Sequence, residues 1–166
     1  MRTQLVAVIV LLLLPFQVGA ETLGVGTAEG DKAPSFEAAT IDGQKIRSSD
    51  LRQGKAMLLF FWTTWCPFCI TEIPKMKEAH SALGPKGLTF LAVNPGINDS
   101  LKKVQLYLDK YAITYPVTFD EGASMAKSFQ VMGVPTYIMV DGNGIIRYRG
   151  NTIPSDLASR VESMIR

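Results

Sequence analysis

The protein has 166 residues, 47% of them hydrophobic, and its 17 basic side chains nearly balance its 15 acidic ones. This length suits a single domain with a sizeable core. The small net charge and the lack of a basic stripe argue against nucleic acid as a partner. The chain contains two cysteines, which are too few for the disulfide framework of a small secreted protein.

The first twenty residues have the three-part pattern of a secretory signal peptide. Met1-Arg2 gives a short basic start, residues 5–16 are almost wholly apolar, and Val18-Gly19-Ala20 supplies small residues for a cleavage site. The apolar run is shorter than the ~20 residues that span a membrane as a helix. Residues 1–20 are therefore predicted to be a cleaved signal peptide, with an uncleaved N-terminal anchor as the alternative. In both cases the rest of the chain is exported.

The next part of the chain contains a lead-in, a hairpin, a strand and a helix. Residues 21–30 are rich in small residues without periodicity and are interpreted as a flexible lead-in. Asp42-Gly43 is a strong signal for a hairpin turn. Residues 56–62 form a continuous apolar run, which is typical of a strand covered on both faces. A helix is expected from Pro67 to about residue 83, and Gly84-Pro85 ends it.

The second half alternates strands and helices. The expected strands are residues 89–93, 116–119, 136–140 and 145–149, and the expected helices are residues 101–111, residues 124–129 and a last one that begins near Pro154. This alternation indicates a βαβ core with parallel strands, to which the final hairpin adds antiparallel ones. The predicted fold class is therefore α/β, with a central mixed β-sheet flanked by helices.

Both cysteines lie in the short sequence Cys66-Pro67-Phe68-Cys69, where the buried strand ends and the helix begins. A helix N-terminus carries free N–H groups and a partial positive charge, which lower the pKa of a thiol there below the ~8.5 of a free cysteine. We expect Cys66 to face solvent and attack, and Cys69, one turn further in, to face the core and resolve the mixed disulfide. The uncharged Pro67-Phe68 pair favours a moderate or reducing couple over a strong oxidant.

Other uses of the cysteine pair have weaker support in the sequence. A structural zinc site needs four protein ligands, but Cys66, Cys69 and His80 are the only cysteine and histidine residues of the chain. A copper(I) site using both thiolates, with help from a methionine such as Met76, is an alternative. A purely structural disulfide that closes so short a loop would constrain the chain little.

Two further positions are candidates from spacing alone. Glu72 comes three residues after Cys69 and faces the same side of the helix, so it is placed to relay protons. An ordinary surface glutamate is an equal alternative. Val134–Pro135 is an X-Pro bond just before a strand and a candidate for the cis isomer, although trans is commoner in such bonds.

With these residues identified, residues 31–166 resemble a thioredoxin-like domain. The chain resembles, more narrowly, the exported TlpA-like thiol–disulfide oxidoreductases, which are related to the redoxins of the AhpC/TSA group. The similarity covers nearly all of the chain after the lead-in. The matching segments are residues 30–36, the cysteine motif of residues 60–69, the Glu-x-Pro of residues 72–74, the cis-proline loop of residues 133–136 and the turn of residues 141–144.

The resemblance implies a thioredoxin-like fold with an N-terminal β-hairpin and a central helical insertion at residues 94–119. It implies a cis Val134–Pro135 bond packed against Cys66. It also favours Glu72 as a functional acid, because Phe60 occupies the place where ordinary thioredoxins have a buried aspartate. The residues expected to contact substrate are Trp65, Pro67, Phe68, Val134 and Pro135.

The expected function is an exported thiol–disulfide oxidoreductase that reduces protein disulfides, of the cytochrome c maturation type. No bound cofactor or metal is expected, because Cys66 and Cys69 carry the electrons. The resemblance implies protein disulfide substrates, with apocytochrome c as a family-level candidate, and a membrane thiol carrier as electron donor. The expected location is the bacterial periplasm, either free or anchored to the inner membrane.

Two alternative functions use the same cysteines. The first is a redoxin-type peroxidase, which Thr63 favours because it lies three residues before Cys66, while Leu59 stands where such a site would have a proline. A resolving cysteine three positions after the first suits disulfide exchange better. The second alternative is a non-enzymatic copper(I) delivery protein.

Overall fold

The structure, a computed structural model, describes residues 24–51 and 55–165. The strands are β1 (Glu37–Ala39), β2 (Lys45–Arg47), β3 (Ala56–Phe61), β4 (Leu88–Asn94), β5 (Val117–Phe119), β6 (Thr136–Asp141) and β7 (Ile146–Gly150). The α-helices are α1 (Pro67–Leu83), α2 (Leu101–Lys110), α3 (Ser124–Ser128) and α4 (Leu157–Met164). Short 3₁₀ turns lie at Ser48–Asp50 and Glu121–Ala123. The predicted order of strands and helices is confirmed.

The main sheet is mixed, as the sequence predicts. Its strand order is β5-β4-β3-β6-β7, and β1 pairs with β2 in a separate hairpin. β3 pairs in parallel with β4, and β4 with β5, whereas β6 pairs antiparallel with both β3 and β7. The α2 helix lies in the connection between β4 and β5 and forms the predicted central insertion.

The central strand β3 is buried on both faces, which explains its continuous apolar sequence. Every residue of Ala56–Phe61 is buried. Its even-numbered residues belong to a hydrophobic cluster with Met76 of α1, and its odd-numbered residues belong to a second cluster with Phe129. Burying one large apolar side chain contributes roughly 1.5–3 kcal/mol. A polar residue anywhere in this strand would therefore disrupt one of the two cores.

One end of the sheet, which we call the cysteine end, gathers segments that are distant in sequence. The parallel strands β3 and β4 both finish there, and β6 begins there because Thr136 pairs with Phe61. The segments at this end are residues 62–69, which lead into α1, residues 95–100, which lead into α2, and residues 130–135, which lead into β6.

The opposite end of the sheet, which we call the distal end, contains the turn between β6 and β7. Asp141 at the end of β6 pairs with Ala56 at the start of β3. The turn of residues 141–145 is closed by hydrogen bonds from Gly144 N to Asp141 O and from Asp141 N to Ile145 O, at 2.9 and 3.0 Å. This is the Asp-Gly-Asn-Gly turn that the sequence predicts.

The residues before the domain contact it. The sequence analysis treats residues 21–30 as a flexible lead-in, of which residues 24–30 are described. Gly30 N donates to Ile146 O at 2.9 Å, and Gly26 N donates to Lys32 O at 3.0 Å. Arg149 of β7 donates from Nη1 to Thr27 O at 3.3 Å. The described part of the lead-in therefore follows the edge strand β7.

The predicted signal peptide, residues 1–20, lies outside the described residues, so its cleavage and its role as an anchor stay predictions. Within residues 24–51 and 55–165, none of the helices has the length and apolar character needed to span a membrane.

Candidate active site

The two cysteines form a disulfide at the start of α1. Cys66 caps the helix, and Pro67 occupies the first helical position, where an N–H is not needed. The Cα atoms of Cys66 and Cys69 lie 5.3 Å apart, and their sulfurs are bonded. The backbone N–H of Cys69 donates a hydrogen bond to Cys66 Sγ at 3.1 Å. The sulfur of Cys66 therefore lies at the positive end of the helix, as the sequence predicts.

Cys66 is more buried than the sequence analysis expects, and this expectation is corrected. Cys66 is 3% exposed and Cys69 0%. The reason is the disulfide itself, because the sulfur of Cys66 turns toward Cys69 and the first turn of the helix. The neighbouring Trp65 and Phe68 are exposed instead, at 51% and 75%.

Glu72 lies one turn beyond Cys69 and is held by two partners. Its side chain is only 14% exposed. Lys75 Nζ donates to Glu72 Oε1 at 2.7 Å, and the hydroxyl of Tyr137 donates to Glu72 Oε2 at 3.2 Å. The structure thus shows Glu72 as an oriented, largely buried carboxylate, and its role as a proton relay stays a prediction.

Tyr137 is a buried hydrogen-bond donor at the start of β6. It is 0% exposed, and its ring stacks on Phe60 with ring centroids 4.8 Å apart. Burial, and to a smaller extent the Glu72 carboxylate, raise the pKa of Tyr137 far above its ordinary value. The phenol therefore stays protonated and donates to Glu72. The ring of Phe60 supports this tyrosine.

The loop before β6 borders an open groove, whose lining includes Phe68, between the two cysteines in sequence, but neither cysteine itself. The Val134–Pro135 peptide bond is cis, as the resemblance implies. The groove has a volume of about 640 Å³. Among the residues that line it are Phe68 and Glu72 of α1, the cis-proline loop and Arg149 of β7.

The residues predicted to contact substrate divide into two groups. Phe68, Val134 and Pro135 line the groove. Trp65 and Pro67 are exposed but do not line it, and Trp65 instead donates from Nε1 to the carbonyl of Ile97 at 2.9 Å. Their roles in substrate binding stay predictions.

The sequence analysis missed two residues at this end of the sheet. The first is Tyr137, which reads as one more residue of a buried strand. The second is Asp99, which accepts hydrogen bonds from both the backbone N–H and the hydroxyl of Thr64, each at 2.8 Å. Its sequence context, Asn-Asp-Ser before a helix, indicates only a helix cap. No local pattern reveals that it reaches a segment so distant in the sequence.

In the described residues, no group of three or more histidine, cysteine, aspartate or glutamate side chains lies close enough together to hold a metal ion.

The cysteine pair at this position of a mixed sheet, with a cis-proline loop beside it, indicates a class of protein: the redoxins of the thioredoxin superfamily. Comparison with known proteins supports this class. Residues 29–149 match the model of the AhpC/TSA family. The thiol-disulfide oxidoreductase ResA of Geobacillus thermodenitrificans strain NG80-2 is 30% identical over 139 residues, which cover 82% of this chain and 78% of ResA. The thioredoxin-like protein YneN of Bacillus subtilis strain 168 is 36% identical over 124 residues, which cover 74% of this chain and 71% of YneN.

A solved structure shares the same fold. It is a thiol:disulfide interchange protein of the thioredoxin family from Chlorobium tepidum TLS, which matches with a TM-score of 0.70 and 29% identity over 84% of this chain and 99% of that one. The expected thioredoxin-like fold is thus confirmed. The chain belongs to the AhpC/TSA family and is a thiol–disulfide oxidoreductase.

Proposed function

We propose that this protein is an exported oxidoreductase that reduces disulfide bonds in other proteins, with Cys66 as the attacking sulfur and Cys69 as the resolving one. The observation that carries the proposal is the Cys66–Cys69 disulfide at the start of α1, beside an open groove. The names of the relatives support the thiol–disulfide chemistry, and the predicted signal peptide supports export.

The reaction begins from the dithiol form and ends in the disulfide seen here. The thiolate of Cys66 attacks one sulfur of the substrate disulfide, whose bond breaks, and the other substrate sulfur leaves as a thiolate that takes up a proton. Cys69 loses its proton and attacks Cys66 in the mixed disulfide. The second substrate sulfur then leaves as a thiolate and takes up a proton. Two electrons and two protons have passed from the protein to the substrate.

The start of α1 favours the first step. In the disulfide form, the N–H of Cys69 already donates to Cys66 Sγ. In the dithiol form, the same N–H and the positive helix end would stabilise the negative charge on this sulfur. The thiolate is the nucleophile in disulfide exchange, so this stabilisation increases the reactive fraction of Cys66.

Glu72 is the proposed proton acceptor for Cys69 in the second step. It follows Cys69 by one helical turn, is largely buried and is fixed by Tyr137 and Lys75. A positioned carboxylate of this kind typically accelerates a proton transfer by about 10²–10⁴-fold.

The groove is the proposed site for an extended segment of the substrate. Its walls combine the exposed ring of Phe68 with Val134 and Pro135, so an apolar residue beside the substrate cysteine would find contacts there.

No bound cofactor is required, because the cysteines carry the electrons. The proposed donor that restores the dithiol is a membrane thiol carrier, and apocytochrome c is the proposed substrate that the family resemblance suggests. The proposed location is the periplasm.

The decisive experiment is to trap the mixed disulfide. Cys69→Ser protein should remain covalently bound to substrate proteins through Cys66, and dithiothreitol should release them. Cys66→Ser protein is the matched control and should trap nothing. Wild-type protein should catalyse the reduction of insulin disulfides, and neither variant should turn over. Absence of both trapping and insulin reduction would refute the proposal.

The peroxidase alternative has one observation in its favour. The hydroxyl of Thr63 is buried and has no hydrogen-bond partner among the described residues. A peroxidase would consume hydrogen peroxide faster than it exchanges with insulin, and Thr63→Val would remove that activity. The copper alternative predicts instead a stoichiometric copper(I) complex that forms without any disulfide reductase activity.

A further inference from the structure

The segment that leads from β3 into Cys66 is tied to another loop by a carboxylate that the proposed reaction does not use. Asp99 accepts two hydrogen bonds from Thr64, from the backbone N–H to Oδ2 and from the hydroxyl to Oδ1, both at 2.8 Å. Thr64 is 5% exposed and lies two residues before Cys66. The connection spans 35 positions of sequence.

The loop on the other side of this contact is itself fixed. Asn94, at the end of β4 and 0% exposed, donates from Nδ2 to Asp99 Oδ2 at 2.8 Å. Its Oδ1 accepts from the N–H of Gly96 at 3.0 Å. Next to Thr64, the indole of Trp65 donates to Ile97 O at 2.9 Å. The two residues before Cys66 are therefore both bound to residues 97–99, and Asp99 is the centre of the network.

We infer that Asp99 is a positioning residue of the exchange site, which holds Thr64 so that Cys66 starts α1 with its sulfur directed at Cys69. The bond from Trp65 to Ile97 O ties the next residue to the same loop. The inference rests on the proposed function of the cysteine pair. A fixed approach to Cys66 raises the effective concentration of one sulfur at the other and so favours the disulfide. The negative charge of Asp99 disfavours a thiolate nearby and acts in the same direction. Both effects stabilise the disulfide relative to the dithiol.

The test is the equilibrium between the protein and glutathione. Two glutathione thiols are oxidised to one glutathione disulfide, and the Cys66–Cys69 bond takes up two electrons and two protons. In Asp99→Asn protein the amide nitrogen cannot accept hydrogen bonds, so the contacts with Thr64 are weakened and the charge is lost. The equilibrium constant should shift at least threefold toward the dithiol, and reduction by glutathione should become faster.

Asp141→Asn provides the matched control. Asp141 is also a carboxylate that accepts several hydrogen bonds, but it lies at the distal end of the sheet. Both variants should lower the melting temperature, and only Asp99→Asn should change the glutathione equilibrium. A merely structural role for Asp99 would lower the melting temperature and leave that equilibrium unchanged, and this outcome would overturn the inference.

Variants of Thr64 separate position from charge. Thr64→Val removes the hydroxyl that donates to Asp99 but leaves every charge in place, and it should shift the equilibrium in the same direction. Thr64→Ser keeps the hydroxyl and should restore the wild-type value. If Thr64→Val has no effect, the positioning part of the inference is wrong. If wild-type protein fails to exchange with glutathione or insulin at all, the proposed function fails first, and the two failures are thereby distinguished.

Discussion

Asp99 at the cysteine end and Asp141 at the distal end are both carboxylates that accept several hydrogen bonds, but they join different parts of the chain. Asp141 accepts from two backbone N–H groups of its own turn and from Nε of Arg147, within six positions of sequence. Asp99 accepts from Thr64, 35 positions away. Glu72, also at the cysteine end, accepts from a tyrosine 65 positions away.

The difference concerns what each carboxylate stabilises. A carboxylate bonded within its own turn stabilises that turn. It stabilises the rest of the fold only indirectly, through the hairpin that the turn closes. A carboxylate that joins distant segments fixes their relative position, and here the segments that are fixed carry the reacting sulfur and its proposed proton acceptor. Substitutions at the distal end are therefore expected to affect stability, and substitutions at the cysteine end to affect the chemistry as well.

The largest loss of stability is expected from Asp141→Ala. Two N–H groups of the turn would lose their acceptor, and the ion pair with Arg147 would be broken. Leaving the buried N–H of Ile145 unpaired costs about 1–3 kcal/mol. The exposed Asn143 and the half-exposed Arg147 add less, so the free energy of unfolding should fall by about 2–3 kcal/mol. Denaturant unfolding measures this loss, and the rate of insulin reduction per folded molecule should not change.

The hairpin between β1 and β2 offers a control for this turn. Asp42 is exposed, and its turn contains the same Asp-Gly pair. Asp42→Ala should lower the free energy of unfolding by about 1 kcal/mol or less, because solvent can replace the lost partners. A loss at Asp42 as large as that at Asp141 would contradict the role of burial.

The largest catalytic effect beyond the cysteines is expected from Glu72→Gln. Glutamine keeps the shape of the side chain and still accepts from Tyr137, but it cannot take up a proton. The second step of the reaction should slow by about 10²-fold or more. Stopped-flow measurement of the decay of the mixed disulfide follows this step directly.

Glu78, an exposed residue of the same helix, is the control for Glu72. Glu78→Gln makes the same change in net charge farther along α1 and should leave the decay rate at the wild-type value. Equal rates for wild type, Glu78→Gln and Glu72→Gln would mean that Glu72 does not handle protons.

Two buried tyrosines differ in whether the hydroxyl has a hydrogen-bond partner, and their comparison allows a smaller effect to be measured. Tyr137 donates to Glu72, whereas the hydroxyl of Tyr115 has no partner in the described part of the chain. Tyr137→Phe keeps the stacking on Phe60 but loses a hydrogen bond to a charged group, which should cost about 1.5–3 kcal/mol and slow the decay of the mixed disulfide. Tyr115→Phe should change the free energy of unfolding by about 0.5 kcal/mol or less and the rate not at all. The same cost for both variants would contradict the assigned hydrogen bond.

The smallest effect concerns the single histidine. His80 packs edge-on against Phe90 and Tyr115, and burial lowers the pKa of His80 below its ordinary value. The unfolded chain therefore binds a proton more readily than the folded protein does. The contribution of neutral His80 to the free energy of unfolding is fully present above the unfolded pKa of about 6.5 and is lost as the pH falls below that value.

His80→Phe tests this dependence, because phenylalanine keeps the aromatic contacts and does not titrate. When the pH falls from 7.5 to 5.5, the melting temperature of the wild type should drop more than that of the variant. This interval spans the ordinary histidine pKa of about 6.5. Parallel pH profiles for the two proteins would exclude His80 as the titrating group.

Much of the fold could be predicted from short stretches of sequence, because the responsible interactions are local. The apolar run of β3 indicates that both of its faces are covered. The Asp-Gly-Asn-Gly sequence predicts the turn of residues 141–145, because the hydrogen bonds that close this turn lie within it. Pro67 and the cysteines around it predict the start of α1. The cis state of Val134–Pro135 was favoured only by the family resemblance, since the residues alone favour trans.

The tertiary structure decided which distant side chains meet at the cysteine end. The burial of Cys66, the hydrogen bond from Tyr137 to Glu72 and the contact of Asp99 with Thr64 all depend on where β3, β4 and β6 end relative to one another. The sequence by itself determined the strands, the helices and the position of the reactive sulfurs, because these follow from neighbouring residues. The partners of those sulfurs follow from the packing of strands that are far apart in the chain, which no local pattern encodes.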